Sequence, residues 1–177
     1  MKNVCLLTGP PRAGKTTLIK QVVADFKGKA CGFYTEEIRE NNERRGFQLV
    51  TLDGRKVTLS HIDFNSPYRV GKYGVNVEGL EEVGVTALLG AQSDCDLVVV
   101  DEIGKMEMLS LKFRSVIEDL ISSNRRVLGT ILLHHHMWSD IIKARPEVRV
   151  IMLNHNNKPQ VRSEVRRWIE GTNGNII

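Results

Sequence analysis

The chain has 177 residues, 41% of them hydrophobic and 26% charged, with a formal net charge of +4; this suggests one soluble globular domain with a sizeable core. No apolar run approaches the ~20 residues that span a bilayer, and the opening MKNVCLLTG lacks the length and cleavage site of a signal peptide, so we expect a cytoplasmic protein with no membrane partner. The charge favours polyanions only mildly: it does not by itself establish nucleic-acid binding, and nothing in the sequence names a protein partner.

Lys2 to Thr8 reads as a buried strand, and Thr16 to Phe26 as a helix with Leu18, Ile19, Val22, Val23 and Phe26 on one face, ended by Gly28. Strand signals follow from Ala30 to about Ile62: ACGFYTEEIR, GFQLVTL and RKVTLSHI, with the hairpin pair Asp53-Gly54 between the last two and a polar loop, Glu40 to Arg45, between the first two. This predicts an antiparallel, β-rich insertion at a sheet edge. Val77 to Gln92 reads as a helix despite Gly79, Gly84 and Gly90. Leu97 to Val100 reads as a strand covered on both faces. A helix is expected from Glu107 to Ser123, with Phe113, Val116, Ile117, Leu120 and Ile121 inward. Strands Val127 to Leu132 and Val148 to Leu153 flank a short helix at Trp138 to Lys143, and a last helix carries Val161, Val165, Trp168 and Ile169. The alternation predicts a parallel sheet with helices on both faces. Cys5, Cys31 and Cys95 form no C-x-x-C pair and lie in or beside apolar stretches, so we expect buried free thiols.

GPPRAGKT fits G-x-x-x-x-G-K-[ST], a phosphate-binding loop, through Gly9, Gly14, Lys15 and Thr16. The glycines let backbone N–H groups turn inward at a helix start, where they favour an anion. Lys15 can reach the terminal phosphates, the Thr16 hydroxyl can bind Mg²⁺, and Thr17 can add a phosphate hydrogen bond. Arg12 adds charge or simply faces water. At ordinary residue frequencies a chance match arises in about 1% or fewer of such chains, and here a strand precedes the loop and a helix follows.

The second motif is DLVVVDEIGKMEM, Asp96 to Met108. Four apolar residues carry Asp101 and Glu102 to the C-terminal end of a strand, where open α/β sheets bind ligands. Asp101 is placed to orient the waters of Mg²⁺, and Glu102 to polarise a water for attack on a γ-phosphate. A water-directing carboxylate leans the reading towards hydrolysis. The rivals are phosphoryl transfer to a small molecule or nucleotide, a slow nucleotide-dependent switch, and a nucleic-acid-stimulated ATPase. Transition-state charge has candidates in Lys105, Arg39, Arg44, Arg45, Arg69 and Arg145, although each arginine alone is more ordinarily a solvated surface group. Thr130 reads equally as a contact to the attacking water or γ-phosphate and as an ordinary strand residue. His134, His135 and His136 are consecutive and lack partners at zinc-ligand spacing, so a loop near the nucleotide fits better than a metal tract. NHNNK, Asn154 to Lys158, lacks the order of a guanine-specificity loop.

With GFYTEEIR, RRGF, VGKYGVNVEGLEEVGV and VVVDEIGKMEMLSLKF added to GPPRAGKTT, the sequence resembles, over nearly its whole length, the small P-loop nucleoside-triphosphatases of the cancer-related, THEP-type family. The resemblance implies a P-loop, RecA-like α/β core with a β-rich insertion. It implies Mg²⁺-dependent hydrolysis of nucleoside 5′-triphosphates with broad base tolerance. It places Gly9, Pro10, Pro11, Arg12, Ala13, Gly14, Lys15, Thr16 and Thr17 at the nucleotide, facing Asp101, Glu102, Ile103, Gly104, Lys105, Met106, Glu107 and Met108. Glu102 is then the base, Lys105 a phosphate-side contact, and Tyr73 and Asn76 lie near the mouth. The chain departs from the family pattern at LLHHHMWSD and at Asn157-Lys158.

Overall fold

The computed structural model describes residues 2–171, leaving aside the side chains of 92–94. In chain order the elements are β1 (Val4–Thr8), α1 (Lys15–Asp25), β2 (Ala30–Glu40), β3 (Glu43–Thr51), β4 (Lys56–His61), β5 (Arg69–Val70) and β6 (Tyr73–Val75). A continuous helical stretch follows, built of α2 (Val77–Gly79), a π-helical segment (Leu80–Val85) and α3 (Thr86–Asp94). Then come β7 (Leu97–Ile103), a 3₁₀ turn (Glu107–Leu109), α4 (Leu111–Ser122), β8 (Val127–Ile131), α5 (Met137–Lys143), β9 (Val148–Met152) and α6 (Lys158–Glu170).

The strands make one sheet in the order β5-β6-β4-β3-β2-β7-β8-β1-β9. Every pairing from β2 to β9 is parallel, and every pairing from β2 out to β5 is antiparallel. The alternating α/β pattern of the sequence thus becomes a parallel half with its helices on both faces. Cys5 and Leu7 of β1 pack with Leu18 and Val22 of α1 and Val161 and Trp168 of α6. Val4 and Leu6 point the other way, to Phe113 and Ile117 of α4 and Trp138 of α5. This is the period-two alternation of a strand buried on both faces.

Two irregularities position the site. In β7, Leu97 and Val99 face the α1 side while Val98 and Val100 face the α4 side. Strict alternation would return Ile103 to the α1 side, yet Ile103 packs with Val98 and Val100. The β7–β8 register shifts between Val100 and Ile103, so the strand accommodates an extra residue where Asp101 and Glu102 lie. In β2, Ala30–Phe33 pair with Leu97–Val100 of β7, but from Tyr34 onward the strand pairs only with β3. Residues 34–51 therefore project as an arm beyond the last β2–β7 pair, with β4 paired alongside β3 from Gly46 to Val50 and only the hairpin tip two-stranded.

Several expectations are corrected. Glu40 and Glu43–Arg45 are strand, not loop; the chain reverses at Asn41 and Asn42 alone, with φ of 49° and 64°. Asparagine tolerates this left-handed region, and paired positive φ values match the twist of a tight hairpin. The antiparallel strands continue past residue 62 to Val75. The helix expected from Glu107 is broken at Ser110, whose extended backbone caps α4. α1 ends at Asp25, ahead of Gly28. Cys31 and Cys95 are not free thiols. The β2–β7 pairing brings their Cα atoms to 6.0 Å, and they form a disulfide. Cys5 alone is free among the described residues, buried, with its thiol pushed up to about 12 by burial.

Candidate active site

The phosphate-binding loop leaves β1 at Gly9 (φ 151°), where a Cβ would collide with the carbonyl oxygen of Leu153 beyond β9. Only glycine fits this close approach. The loop turns through Arg12 (φ 63°) and enters α1 at Gly14 (φ 91°). Gly14 supplies no side-chain cap, and the first turn holds no acid. The first amides of α1 are thus left for an external acceptor. Lys15 Nζ donates to the carbonyl oxygens of Gly9 (2.9 Å) and Pro10 (3.0 Å), which holds its charge over the loop.

Facing the loop, Asp101 is 1% exposed. Its Oδ1 accepts a 2.7 Å hydrogen bond from Thr130 Oγ1, so Thr130 orients the acid from the neighbouring strand. Its Oδ2 is buried and has no hydrogen-bond partner among the described residues. Burial pushes the Asp101 carboxyl up; the hydroxyls of Thr130 and Thr16 and the charges of Lys15 and Lys20 oppose this. A buried, unpaired carboxylate oxygen beside a threonine hydroxyl is a hard-oxygen donor set of the kind that suits Mg²⁺.

Glu102 is half-buried. Burial and then the Asp101 charge push its carboxyl up, with Lys15 opposing. Behind it, Glu107 accepts a 3.1 Å hydrogen bond from the Gly104 amide. Burial, with Glu102 adding, raises Glu107 to about 8.

A cleft of about 650 Å³ joins these parts. Its walls include Gly9, Pro11, Arg12, Gly14, Lys15, Thr16 and Thr17 from the loop and both Asp101 and Glu102 from the β7 irregularity. Pro10 and Ala13 belong to the loop without lining the cleft. Of the stretch after Glu102, Gly104, Lys105, Met106 and Glu107 line a separate cavity of about 180 Å³ that also touches Glu102. Ile103 and Met108 are core. Lys105 is exposed and lies on that second cavity, away from the loop.

The cleft also contains residues that local sequence reasoning passed over: Lys20 on α1, and Thr35, Glu36, Glu37 and Phe47 on the arm. Arg44, one of the arginine candidates, lines it as well. GFYTEEIR and RRGF carried this signal only through resemblance, because the pairing that swings the arm over the loop is non-local. Tyr73 is buried, with its hydroxyl accepting from Arg44 Nε at 3.0 Å. Asn76 caps α2 and borders a different surface groove. His134 lines the cleft, while His135 pairs with Asp140 outside it. Among the described residues no three of His, Cys, Asp and Glu are grouped to hold a metal. Asn157 bonds to the Asn154 amide and the Met152 carbonyl, tying down the start of α6, and Lys158 lies against Gly14.

A glycine loop between β1 and α1, facing acids at the end of β7 with β8 between them, defines a P-loop NTPase. The family model described as NTPase matches residues 4–166, and the chain belongs to that family. It is 48% identical over 160 residues to the nucleoside-triphosphatase THEP1 of Thermotoga petrophila, covering 90% of this chain and 89% of that protein. It is 36% identical over 155 residues to THEP1 of Methanocaldococcus jannaschii, covering 86% and 89%. The crystal structure of THEP1 from Aquifex aeolicus superposes with a TM-score of 0.87 at 34% identity, covering 94% of this chain and 99% of that one. The solution structure of a human cancer-related nucleoside triphosphatase gives 0.81 at 30% identity, covering 98% and 100%.

Proposed function

We propose that the protein hydrolyses nucleoside 5′-triphosphates to the diphosphate and phosphate, with Mg²⁺ as cofactor. The observation that carries this is the unpartnered, buried Oδ2 of Asp101 facing the same cleft as Lys15, Thr16 and Glu102. The loop amides and Lys15 bind the phosphates. Lys15 exchanges its two carbonyl partners for phosphate oxygens, a trade of neutral for charge-assisted hydrogen bonds. Thr16 and Asp101 would hold Mg²⁺, which neutralises phosphate charge when bound. Thr130 keeps Asp101 in place. Glu102 accepts a proton from the attacking water as the water oxygen bonds to the γ-phosphorus and the bond to the bridging oxygen breaks. A carboxylate made more basic by burial suits that role.

The test is steady-state hydrolysis of ATP, GTP, CTP and UTP by the parent and by Glu102→Gln and Lys15→Ala. Glu102→Gln keeps nucleotide binding and loses turnover by about 10²-fold or more. Lys15→Ala weakens both. Full turnover by Glu102→Gln removes the proposed base, and label found in an added acceptor instead of free phosphate replaces hydrolysis with phosphoryl transfer.

A further inference from the structure

The cleft walls carry several positive charges, and they are not equivalent. Lys15 belongs to the phosphate loop. Lys20 is neutralised by a 2.7 Å ion pair with Glu36. Arg44 reaches the cleft from the opposite side, on β3 of the arm, and the surrounding residues fix its guanidinium. Nε donates to the Tyr73 hydroxyl at 3.0 Å and Nη1 to Glu37 Oε1 at 3.1 Å. The guanidinium carbon lies 5.2 Å from the Phe47 ring centre and 5.8 Å from that of Tyr73. Among the described residues no acceptor holds Nη2.

Charge bookkeeping separates this from an ordinary surface ion pair. Glu37 is already held by Arg39 Nη1 at 2.6 Å on its other oxygen. Two guanidinium groups against one carboxylate leave one positive charge, and of the two arginines only Arg44 lines the cleft. The sheet order places the parts in a row: β1 with the loop, β8 with Thr130, β7 with Asp101 and Glu102, then β2 and β3 with Glu37 and Arg44. A triphosphate held by the loop and directed at Glu102 thus points its terminal group towards the arm.

We infer that Arg44 is a catalytic arginine supplied in cis, held by the β2–β3 arm so that its guanidinium contacts the γ-phosphoryl oxygens as charge develops there. Tyr73 and Glu37 are its positioning residues. Arginine suits the task because its planar fork stays charged and can bond two phosphoryl oxygens while its other donors remain anchored. The inference rests on the hydrolysis reading above.

The experiment compares the parent with Arg44→Ala, Arg44→Lys, Tyr73→Phe and Arg39→Ala. It measures kcat and KM, binding of ADP alone, binding of ADP with magnesium and aluminium fluoride, and kcat with added millimolar guanidinium. Arg44→Ala should lose about 10²-fold or more in kcat with KM within about threefold. It should bind ADP normally and the aluminium fluoride complex much more weakly, and free guanidinium should restore part of kcat. Arg44→Lys should not recover parental kcat, Tyr73→Phe should fall in between, and Arg39→Ala, which leaves the Glu37 carboxylate to Arg44 alone, should lose clearly less than Arg44→Ala. Parental kcat in Arg44→Ala overturns the inference, as does a loss carried wholly by KM with no guanidinium rescue, or an equal loss in Arg39→Ala. A parent without triphosphate turnover overturns the hydrolysis reading itself and this assignment with it.

Discussion

Glu107 accepts a hydrogen bond from Gly104 while lying buried behind Glu102, and its carboxyl is raised from the ordinary 4.5 to about 8. Its proton is therefore bound more tightly in the folded chain than in the unfolded one. The stability this confers is complete below about pH 4.5 and is lost as pH rises through about 8. Glu107→Gln removes the titration and leaves a carbonyl oxygen able to accept from Gly104. The variant's melting temperature, relative to the parent's, should rise as the pH is taken from 5 to 9; a constant difference across that range would show that Glu107 is not held protonated. Gly9 makes a second argument at this scale. Gly9→Ala drives a methyl group into the Leu153 carbonyl at a φ of 151°, so the loop has to shift. Calorimetry should show nucleotide affinity lost well beyond the change in thermal stability, and parental affinity would contradict the requirement for glycine.

Among the elements, the junction at Ser110 shows both what local sequence carries and where it stops. Phe113, Val116, Ile117 and Leu120 keep helical period on the inner face of α4, and that period reads on without a break from Glu107. The break is made by Ser110, whose Oγ accepts from the Phe113 amide at 3.0 Å and donates to Glu81 Oε1 at 2.8 Å. A capping serine followed three residues on by phenylalanine offers no capping box, and the acid that completes the junction lies 29 residues away. Ser110→Ala leaves a buried amide unpaired and removes one of the two partners of Glu81, whose other oxygen stays paired with Lys112, at a cost of about 1–2 kcal/mol. Urea unfolding should report this as a lower midpoint at unchanged slope. The arm follows the same logic. Its strands are legible in ACGFYTEEIR and GFQLVTL, but ENNERR, Glu40 to Arg45, is too polar to look paired. Only the two asparagines, both at positive φ, show that the hairpin closes without a loop. The Asp101–Glu102 pair was legible as chemistry, since an apolar run ends in two acids. That both line one cleft was not, because the β7 irregularity appears only as a register shift against β8.

For the molecule as a whole, alternation of strands and helices told of a parallel sheet, but the placing of β8 between β1 and β7 is a matter of long-range pairing that no local period encodes. The cysteines illustrate the same limit. Cys31 and Cys95 stand 64 residues apart, each in apolar company, and spacing alone suggests two more buried thiols. Parallel pairing of Ala30–Phe33 with Leu97–Val100 brings the start of β2 beside the approach to β7 and joins them. The cross-link spans the whole antiparallel half of the sheet, so it constrains the unfolded chain by closing a long loop. For a loop of that length the chain-entropy contribution is about 4 kcal/mol, which for a chain of this size corresponds to a melting temperature change on the order of 10 °C. Reduction, or Cys31→Ser with Cys95→Ser, should lower the midpoint by that order. Thiol titration of the denatured protein should count one free cysteine before reduction and three after, because Cys5 is shielded only while the fold persists. Three thiols in the unreduced, denatured chain would return Cys31 and Cys95 to the thiol state that their spacing suggests. The parallel pairing would then have to hold the β2–β7 junction without a covalent bond.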